Sequence, residues 1–497
     1  MVNKKWLSSE KTWLFLLVVL MAVARIIFLL KCENMGGPAS NNVEKALFII
    51  GDPDFRKNFD GNSSMLYNYA IAAFLYFWRE PILAARAFTA LFGIFLVIPY
   101  YGVIKVLFNR TVAFFSSLVL VFYPLHIVQS SAATSDAVYY FFIFGSFYYF
   151  FRYINDPKRI LSLLLSVLSF NIASLLRFES WLYIPVFFFL LWPKGKRAAF
   201  AFLILSVACP CLHLMLNHLW GNGFLYSFTT PAKSAHAEIV IGRVSYDSRP
   251  WSWLAALWQN SGPSLVIGGL SGMALAFLTR QRRSMAIFFL LLLSAFTVNT
   301  LLARMWVNSY YTIIFGLFLI PYAWFFGDKA LDLLGFRNKA WLILLLVFPA
   351  LNFWHIAQEP YICMPGMLFV IPQEVKTLGL WLKDHARPDE RVIIGADRYD
   401  AWENIIMFRS GISPSRFSVI HTPLTESGRF ENREAFERHL LALWAKYLVL
   451  NSESYLQKVL NFQLDQKVQT LGGISFEVVF EQEVVKSGKY IIYRISY

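Results

Sequence analysis

MLYNYAIAAFLYFW, residues 65–78, is the stretch whose reading decides the layout of this chain. It is apolar and aromatic, but its 14 residues fall short of the roughly 20 that a helix needs to cross a bilayer, and Asn68 interrupts it. An interfacial or re-entrant helix fits it better than a crossing. If it does not cross, the loops Lys105–Arg110, Arg152–Arg159, Lys194–Arg197, Arg280–Arg283 and Lys329–Lys339 share the side of the N-terminus. Each of these loops is short and basic, and Lys and Arg collect in cytoplasmic loops. The opposite loops (31–86, 131–136, 177–180, 220–262 and 304–309) are longer or nearly neutral. Counting 65–78 as a span would reverse every later loop and put nearly all the basic clusters outside.

Outward from this stretch, hydropathy places eleven spans. They lie near 12–30, 88–107, 112–130, 137–153, 160–176, 181–192, 198–219, 263–279, 284–303, 310–326 and 340–357. The tract 181–192 is short and borrows flanking residues. The first run imitates a signal peptide, with Lys4, Lys5 and Lys11 ahead of it and Ala22-Val23-Ala24 as a small-residue site. Apolar residues resume after Arg25, however, and the whole reaches the length of a retained anchor. The expected fold is a polytopic α-helical membrane protein of about eleven transmembrane helices with a long first extracytoplasmic loop (31–86). The N-terminus is inside and the C-terminus outside.

Composition agrees. The 497 residues are 57% hydrophobic and 15% charged, where soluble domains average about 25% charged. This excludes a soluble enzyme for most of the chain, a disordered protein and a disulfide-stapled module. Cys32, Cys209, Cys211 and Cys363 have no metal-type spacing. The net charge of +14 would ordinarily suggest nucleic acid. Residues 373–497, however, hold 16 basic and 16 acidic side chains, so the excess belongs to the membrane part. There the N-terminal tail and inner loops carry 17 basic and 3 acidic residues, which makes the charge an orientation signal and leaves no nucleic-acid partner.

Composition divides the chain into 1–372, the transmembrane part, and 373–497, an extracytoplasmic α/β domain. RVIIG (391–395), FSVIH from Phe417, KYLVL (446–450), FEVVF (476–480) and YIIYR (490–494) read as strands. Helical patterns at 374–385, 400–409, 431–444 and 453–462 alternate with them. The domain has no glycine-rich phosphate loop and no nucleophile elbow, and is expected to cover a site and not to make one.

Ionisable residues in or at the ends of spans are costly, so each is a functional candidate. On the outer side these are the acids of the first loop, Glu33, Glu44, Asp52, Asp54 and Asp60, then Asp136, Arg177 with Glu179, Lys233 and Arg304. Arg25, near the outer end of the first span, either snorkels to the headgroups or faces a polar site. Asp136 also suits a helix N-cap, Arg177 and Glu179 a local pair, and Asp52 and Asp54 a turn around Pro53. Carboxylates and guanidinium groups at one depth suit glycosyl transfer from a lipid phosphate. A carboxylate deprotonates the acceptor hydroxyl, and arginine or lysine neutralises the departing phosphate. His236 alone is no evidence for a metal, and metal dependence stays open.

The arrangement resembles the multi-spanning glycosyltransferases of fold type C, closest to protein O-mannosyltransferases and aminoarabinose (lipid A) transferases. Gly51-Asp-Pro-Asp-Phe-Arg56 to Phe59-Asp60 looks like that family's loop ahead of an interfacial helix, which 65–78 supplies. Ala85-Arg86 to Gly93, Tyr123-Pro124 to Asp136, and Leu175-Leu176-Arg177-Phe-Glu179 are similar to its second span, third span and next outer turn. Where the family has an acidic pair after the first span this chain has Gly37-Pro38, with Glu33 and Glu44 the nearest acids. After the loop acid it has Asp60-Gly61-Asn62-Ser63, with no lysine. The resemblance implies a transferase that moves a sugar, with inversion, from a polyprenyl-phosphate donor to a lipid, glycan or protein acceptor on the outer face of the membrane; the compact size and the lack of a eukaryotic targeting signal point to a bacterial inner membrane. Asp136 with Glu33 first and Asp60 second would be catalytic, and Arg177, Glu179, Arg304, Arg25 and Lys233 would bind substrate. The competing readings are a lipid-linked sugar flippase and a catalytically degenerate relative acting as a partner subunit.

Overall fold

The computed structural model describes residues 10–31, 37–52, 54, 65–221, 223–240, 249–278, 283–305, 307, 311–334, 350, 373–396, 402–421, 433–452, 454–463, 465–484 and 488–497. The chain divides into two units. One comprises Met1–Lys31, Phe59–Ala70 and Arg86–Pro365; the other comprises Cys32–Asn58, Ile71–Ala85 and Gly366–Tyr497. Two segments of the first loop thus group with the C-terminal segment, where composition alone suggests a division at residue 372.

The first unit is helical. Among the described residues five helices are long and apolar enough to cross a bilayer: Glu10–Lys31, Pro81–Leu107, Lys196–Leu219, Arg283–Leu301 and Thr312–Leu333. A sixth span is formed by Arg110–Phe122 and Pro124–Ser131 if that bent pair is counted as one. The chain is an integral membrane protein. Among the described residues five or six of the eleven expected spans thus meet both length and hydropathy; the expected span 137–153 is the 20-residue helix Asp136–Asn155, and others fold as shorter or broken helices. Ile160–Leu176 and Pro263–Phe277 are apolar but shorter. The tract 181–192 is a 3-10 turn, Phe178–Tyr183, running into the eight-residue helix Ile184–Leu191. The span expected at 340–357 lies, apart from Ala350, outside the described residues. Residues 65–78 form the helix Met65–Phe77, whose 13 residues reach about 20 Å at 1.5 Å per residue. That is short of the roughly 30 Å hydrocarbon core.

The bend has a local cause. Pro124 cannot donate a backbone hydrogen bond and crowds the preceding turn. Tyr123 becomes extended, with φ −68° and ψ 109°, and the two helix axes diverge by 61°. Each half then ends in carbonyls with no partner within its helix, which lipid cannot satisfy. Two buried guanidinium groups supply the bonds. Arg25 Nη1 donates to the Val121 carbonyl at 2.8 Å, and Arg86 Nε donates to the Ser131 carbonyl at 2.8 Å. Arg25 Nε also donates to Ser130 Oγ at 3.3 Å, and its Nη2 meets His126 Nδ1 at 2.5 Å.

The second unit carries a six-stranded sheet, with β1 Val392–Ala396, β2 Phe417–His421, β3 Tyr447–Asn451, β4 Val468–Leu471, β5 Ile474–Val484 and β6 Gly488–Ser496. The strand order is β2-β1-β3-β6-β5-β4. β1 runs parallel to β2 and β3, with Val392 opposite Phe417 and Tyr447, and the remaining pairs are antiparallel. The central β3 is buried along its whole length, as its unbroken apolar run requires. Phe436 and Leu440 of helix Arg433–Leu443 pack with Leu448, Phe476 and Tyr493 to form its core. β4 has no counterpart in the sequence reading. Its four residues alternate exposed and buried, so no apolar run marks it. The available signal is Gly472-Gly473, both at positive φ (53° and 87°), which closes a two-residue hairpin into β5.

Packing in the helical unit is aromatic and close. The Phe147 ring lies 4.8 Å from Phe288, 5.5 Å from Phe187 and 5.7 Å from Tyr183. Gly268 and Gly272, four residues apart on helix Pro263–Phe277, let helix Thr312–Leu333 approach backbone to backbone. A Cβ at Gly272 would sit 2.0 Å from the Tyr322 carbonyl oxygen, which no side chain can vacate. Gly272→Ala is therefore expected to destabilise the protein by about 1–3 kcal/mol, read as a lowered midpoint of thermal unfolding in detergent. An unchanged midpoint would show that the two helices are not locked at this contact.

Candidate functional site

Two helix ends and a 3-10 turn build the site. After the broken span the chain turns through residues 132–135 into helix Asp136–Asn155. Ser135 is the N-cap and its side chain makes no capping bond, so Asp136 is the first helical residue and not the cap. The positive end of the helix favours a carboxylate there, and the side chain is free to turn toward its neighbour. Helix Ile160–Leu176 ends at Arg177, whose extended backbone (φ −151°, ψ 130°) leads into the 3-10 turn Phe178–Tyr183. That turn brings Glu179 back onto the residue two positions earlier.

Arg177 lies between two acids. Its Nη1 bonds the Asp136 carboxylate at close range. Its Nη2 and Nε grip Glu179, at 2.7 Å to Oε1 and 3.3 Å to Oε2, the two-pronged geometry that guanidinium and carboxylate favour. The three side chains are 13% (Arg177), 8% (Asp136) and 25% (Glu179) exposed. The Tyr311 ring lies 4.9 Å from the guanidinium carbon and the Tyr139 ring 5.9 Å from it. Such faces attract a cation. Burial pushes the Glu179 carboxyl upward, but Arg177 outweighs it and holds the group below its ordinary value. One cation shared by two anions leaves the cluster with a net negative charge. Among the described residues Asp136 Oδ2 has no hydrogen-bond partner, so that oxygen is available to a reacting group.

Helix Met65–Phe77 reaches the same neighbourhood. Tyr67 is fully buried and its hydroxyl lies 2.6 Å from Thr89 Oγ1. Burial raises its pKa, the Thr89 hydrogen bond opposes that, and the Asp136 charge raises it further. Tyr67, Tyr139 and Tyr311 escaped the sequence reading because aromatic residues make up 18% of the chain, so no single ring stands out.

The remaining candidates are dispersed. Arg25 is fully buried, away from the headgroup position that snorkelling would need, and is bound to the broken span. Arg304 is exposed just past helix Arg283–Leu301, after Ala303 at φ 52°. Tyr311, seven residues on, is the ring over Arg177. Lys233 is exposed on helix Tyr226–Val240. Glu33 and Asp60 lie outside the described residues. Glu44 is half-buried in helix Gly37–Gly51, where burial raises its carboxyl and Lys45 opposes the rise. Asp52 accepts from the Asp54 backbone at 3.2 Å, a turn-forming bond. Among the described residues no three His, Cys, Asp or Glu side chains are grouped to hold a metal.

Residues 62–220, the segment holding Arg86, Asp136, Arg177 and Glu179, match the family model of dolichyl-phosphate-mannose-protein mannosyltransferases. No curated protein matches the sequence. Among solved structures the chain is similar to ArnT from Cupriavidus metallidurans, determined with undecaprenyl phosphate bound. The TM-score is 0.65 at 12% identity, covering 98% of each chain. It is also similar to the oligosaccharyltransferase AglB of Archaeoglobus fulgidus, in complex with an inhibitory peptide and a dolichol-phosphate. There the TM-score is 0.59 at 13% identity, covering 89% of this chain and 70% of that one. The mycobacterial arabinofuranosyltransferase AftD gives 0.52 at 13% identity over 96% of this chain and 41% of its own. At these identities the likeness is one of fold.

Removing the central cation should expose its structural role. Arg177→Met leaves two buried carboxylates facing each other and is expected to cost about 3–5 kcal/mol of stability, with partial recovery when Glu179→Gln is added. The acid limb is informative too. The Glu179 carboxyl titrates lower in the folded chain than in the unfolded one, so its contribution is full above its ordinary pKa of 4.5 and is lost as pH falls below that value. Thermal midpoints between pH 3 and 6 should fall less steeply in Glu179→Gln than in the wild type. Parallel curves would mean that the pair does not stabilise the fold.

Proposed function

We propose that this chain, which shares the fold of the type C membrane glycosyltransferases, transfers a sugar from a polyprenyl-phosphate donor to a lipid, glycan or protein acceptor on the extracytoplasmic face of a bacterial inner membrane. The observation that carries the reading is the buried Asp136–Arg177–Glu179 cluster at the end of two helices, inside the segment that matches the mannosyltransferase model.

In this reading Asp136 is the base. Its free oxygen takes the proton of the acceptor hydroxyl as that oxygen attacks the anomeric carbon. The bond from carbon to phosphate oxygen breaks, and the electron pair leaves with the lipid phosphate. Attack opposite the leaving group inverts the anomeric centre. Arg177 is a positioning residue, because its guanidinium is already committed to two carboxylates and holds the Asp136 side chain in place. Neutralising the departing phosphate falls to cations without such commitments, Arg304 first and Lys233 second. The first-loop acids Glu33 and Asp60 are the candidates for orienting donor or acceptor. The orientation follows the basic loops: N-terminus in the cytoplasm and residues 373–497 extracytoplasmic.

The flippase reading gains one observation, the broken span at Tyr123, since transporters often bind substrate at such breaks. Here Arg25, His126 and Tyr123 are all fully buried, and the Val121 and Ser131 carbonyls are engaged. The break is sealed, which favours the enzyme.

Asp136→Asn keeps the shape of the site and removes the base. Membrane vesicles from a deletion strain should regain the missing lipid-linked or surface glycan, identified by mass spectrometry, with the wild-type chain. With Asp136→Asn they should not, transfer falling on the order of 10²–10⁴-fold at equal membrane expression. Transfer at the wild-type rate would sink the assignment.

A further inference from the structure

Helix Asp136–Asn155 carries Asp136 in its first turn and Arg152 in its last. Sixteen residues of helix separate them by about 24 Å, so Arg152 lies toward the membrane face opposite the carboxylate cluster. A cavity of about 460 Å³ opens there, bounded by helix Glu10–Lys31, segment Val97–Leu107 and the end of helix Asp136–Asn155. Its cations are Lys105, Arg152 and Arg159, and its acids are Glu10 and Asp156. Both acids are already engaged. Glu10 bonds Lys105 closely and Arg110 at 3.4 Å, and Asp156 holds Arg159 at 2.8 Å. Arg152 has no carboxylate partner among the described residues. Its guanidinium lies 5.4 Å from the Tyr148 ring centre, and Nη1 donates to the Tyr148 hydroxyl at 3.2 Å. Leu14, Ile98 and Val106 give the cavity apolar walls.

We propose that this cavity binds the phosphodiester headgroup of an anionic glycerophospholipid from the adjoining leaflet, with Arg152 as its anion ligand. A part-buried guanidinium with donors to spare suits a phosphate, which accepts two parallel N–H bonds. The apolar walls take the first carbons of the acyl chains, and that favours a lipid over a soluble phosphate. Basic pockets between spans at the positively charged face hold acidic headgroups for the same reason. The site makes no claim on the reaction, since its distance from Asp136 separates the two.

The test is native mass spectrometry of the full-length protein from nanodiscs of phosphatidylglycerol with phosphatidylcholine, beside thermal unfolding in each lipid. The wild type should retain one phosphatidylglycerol and melt higher in its presence. Arg152→Gln should reduce retention at least tenfold and abolish the shift. Ile98→Trp, which fills the cavity and leaves Arg152 in place, should expel the lipid as well and serves if Arg152→Gln does not fold. Equal phosphatidylglycerol retention by the wild type and a folded variant would overturn the proposal. So would equal retention of phosphatidylcholine, or a stability shift reproduced by glycerol 3-phosphate alone, which would assign the site to a soluble phosphate. Sugar transfer, measured separately, reports on Asp136 and leaves this outcome unaffected.

Discussion

Inside hydrocarbon no backbone carbonyl can be left without a donor, and the helical unit is organised around one place where the chain creates such carbonyls. Pro124 breaks a span that would otherwise run from Arg110 to Ser131, and the carbonyls at the break and at the C-terminal end of the run need partners that lipid does not provide. Arg25 and Arg86 provide them from two other helices. A buried guanidinium is expensive unless its donors are used, and here a carbonyl, a hydroxyl and an imidazole nitrogen use those of Arg25. The exchange ties helix Glu10–Lys31 and helix Pro81–Phe95 to the bend. The second half of the bend then delivers the chain to Asp136.

The carboxylate cluster extends the same logic of mutual satisfaction. Arg177 is buried with two acids, and each member would be costly alone. Its position at a helix C-terminus, with Glu179 two residues later on a 3-10 turn, makes the local pair almost obligatory. The long-range contact to Asp136 is what turns a local pair into a site. The rings of Tyr139, from the helix that carries Asp136, and Tyr311 flank the guanidinium, so that the one carboxylate oxygen left available acts in a setting of low polarity.

The second unit reads differently from its sequence because sheets are made by pairing. The five apolar runs named from the sequence all fall within strands, since β-branched and aromatic runs of four to six residues leave few alternatives. Val468–Leu471 was missed because a short edge strand with one face in water needs neither length nor continuous hydrophobicity. Two segments of the first loop also group with this unit. Composition could not show that, because contact between distant segments leaves no mark on local residue content.

By itself the sequence determined that the chain lives in a membrane, where its basic loops cluster, that Met65–Phe77 is too short to cross, and which ionisable residues stand at span ends. These follow from local quantities: hydropathy summed over a window, charge counted by loop, helix length against bilayer thickness. Only the tertiary structure decided which of the candidates touch one another. It gave Arg25 to the broken span, joined Arg177 and Glu179 to Asp136, and left Arg304 and Lys233 exposed. The reason is that a guanidinium's role is set by which acceptor lies within about 3 Å of it. For residues 41 or 96 positions apart, that distance is fixed by helix packing, not by anything written near them in the chain.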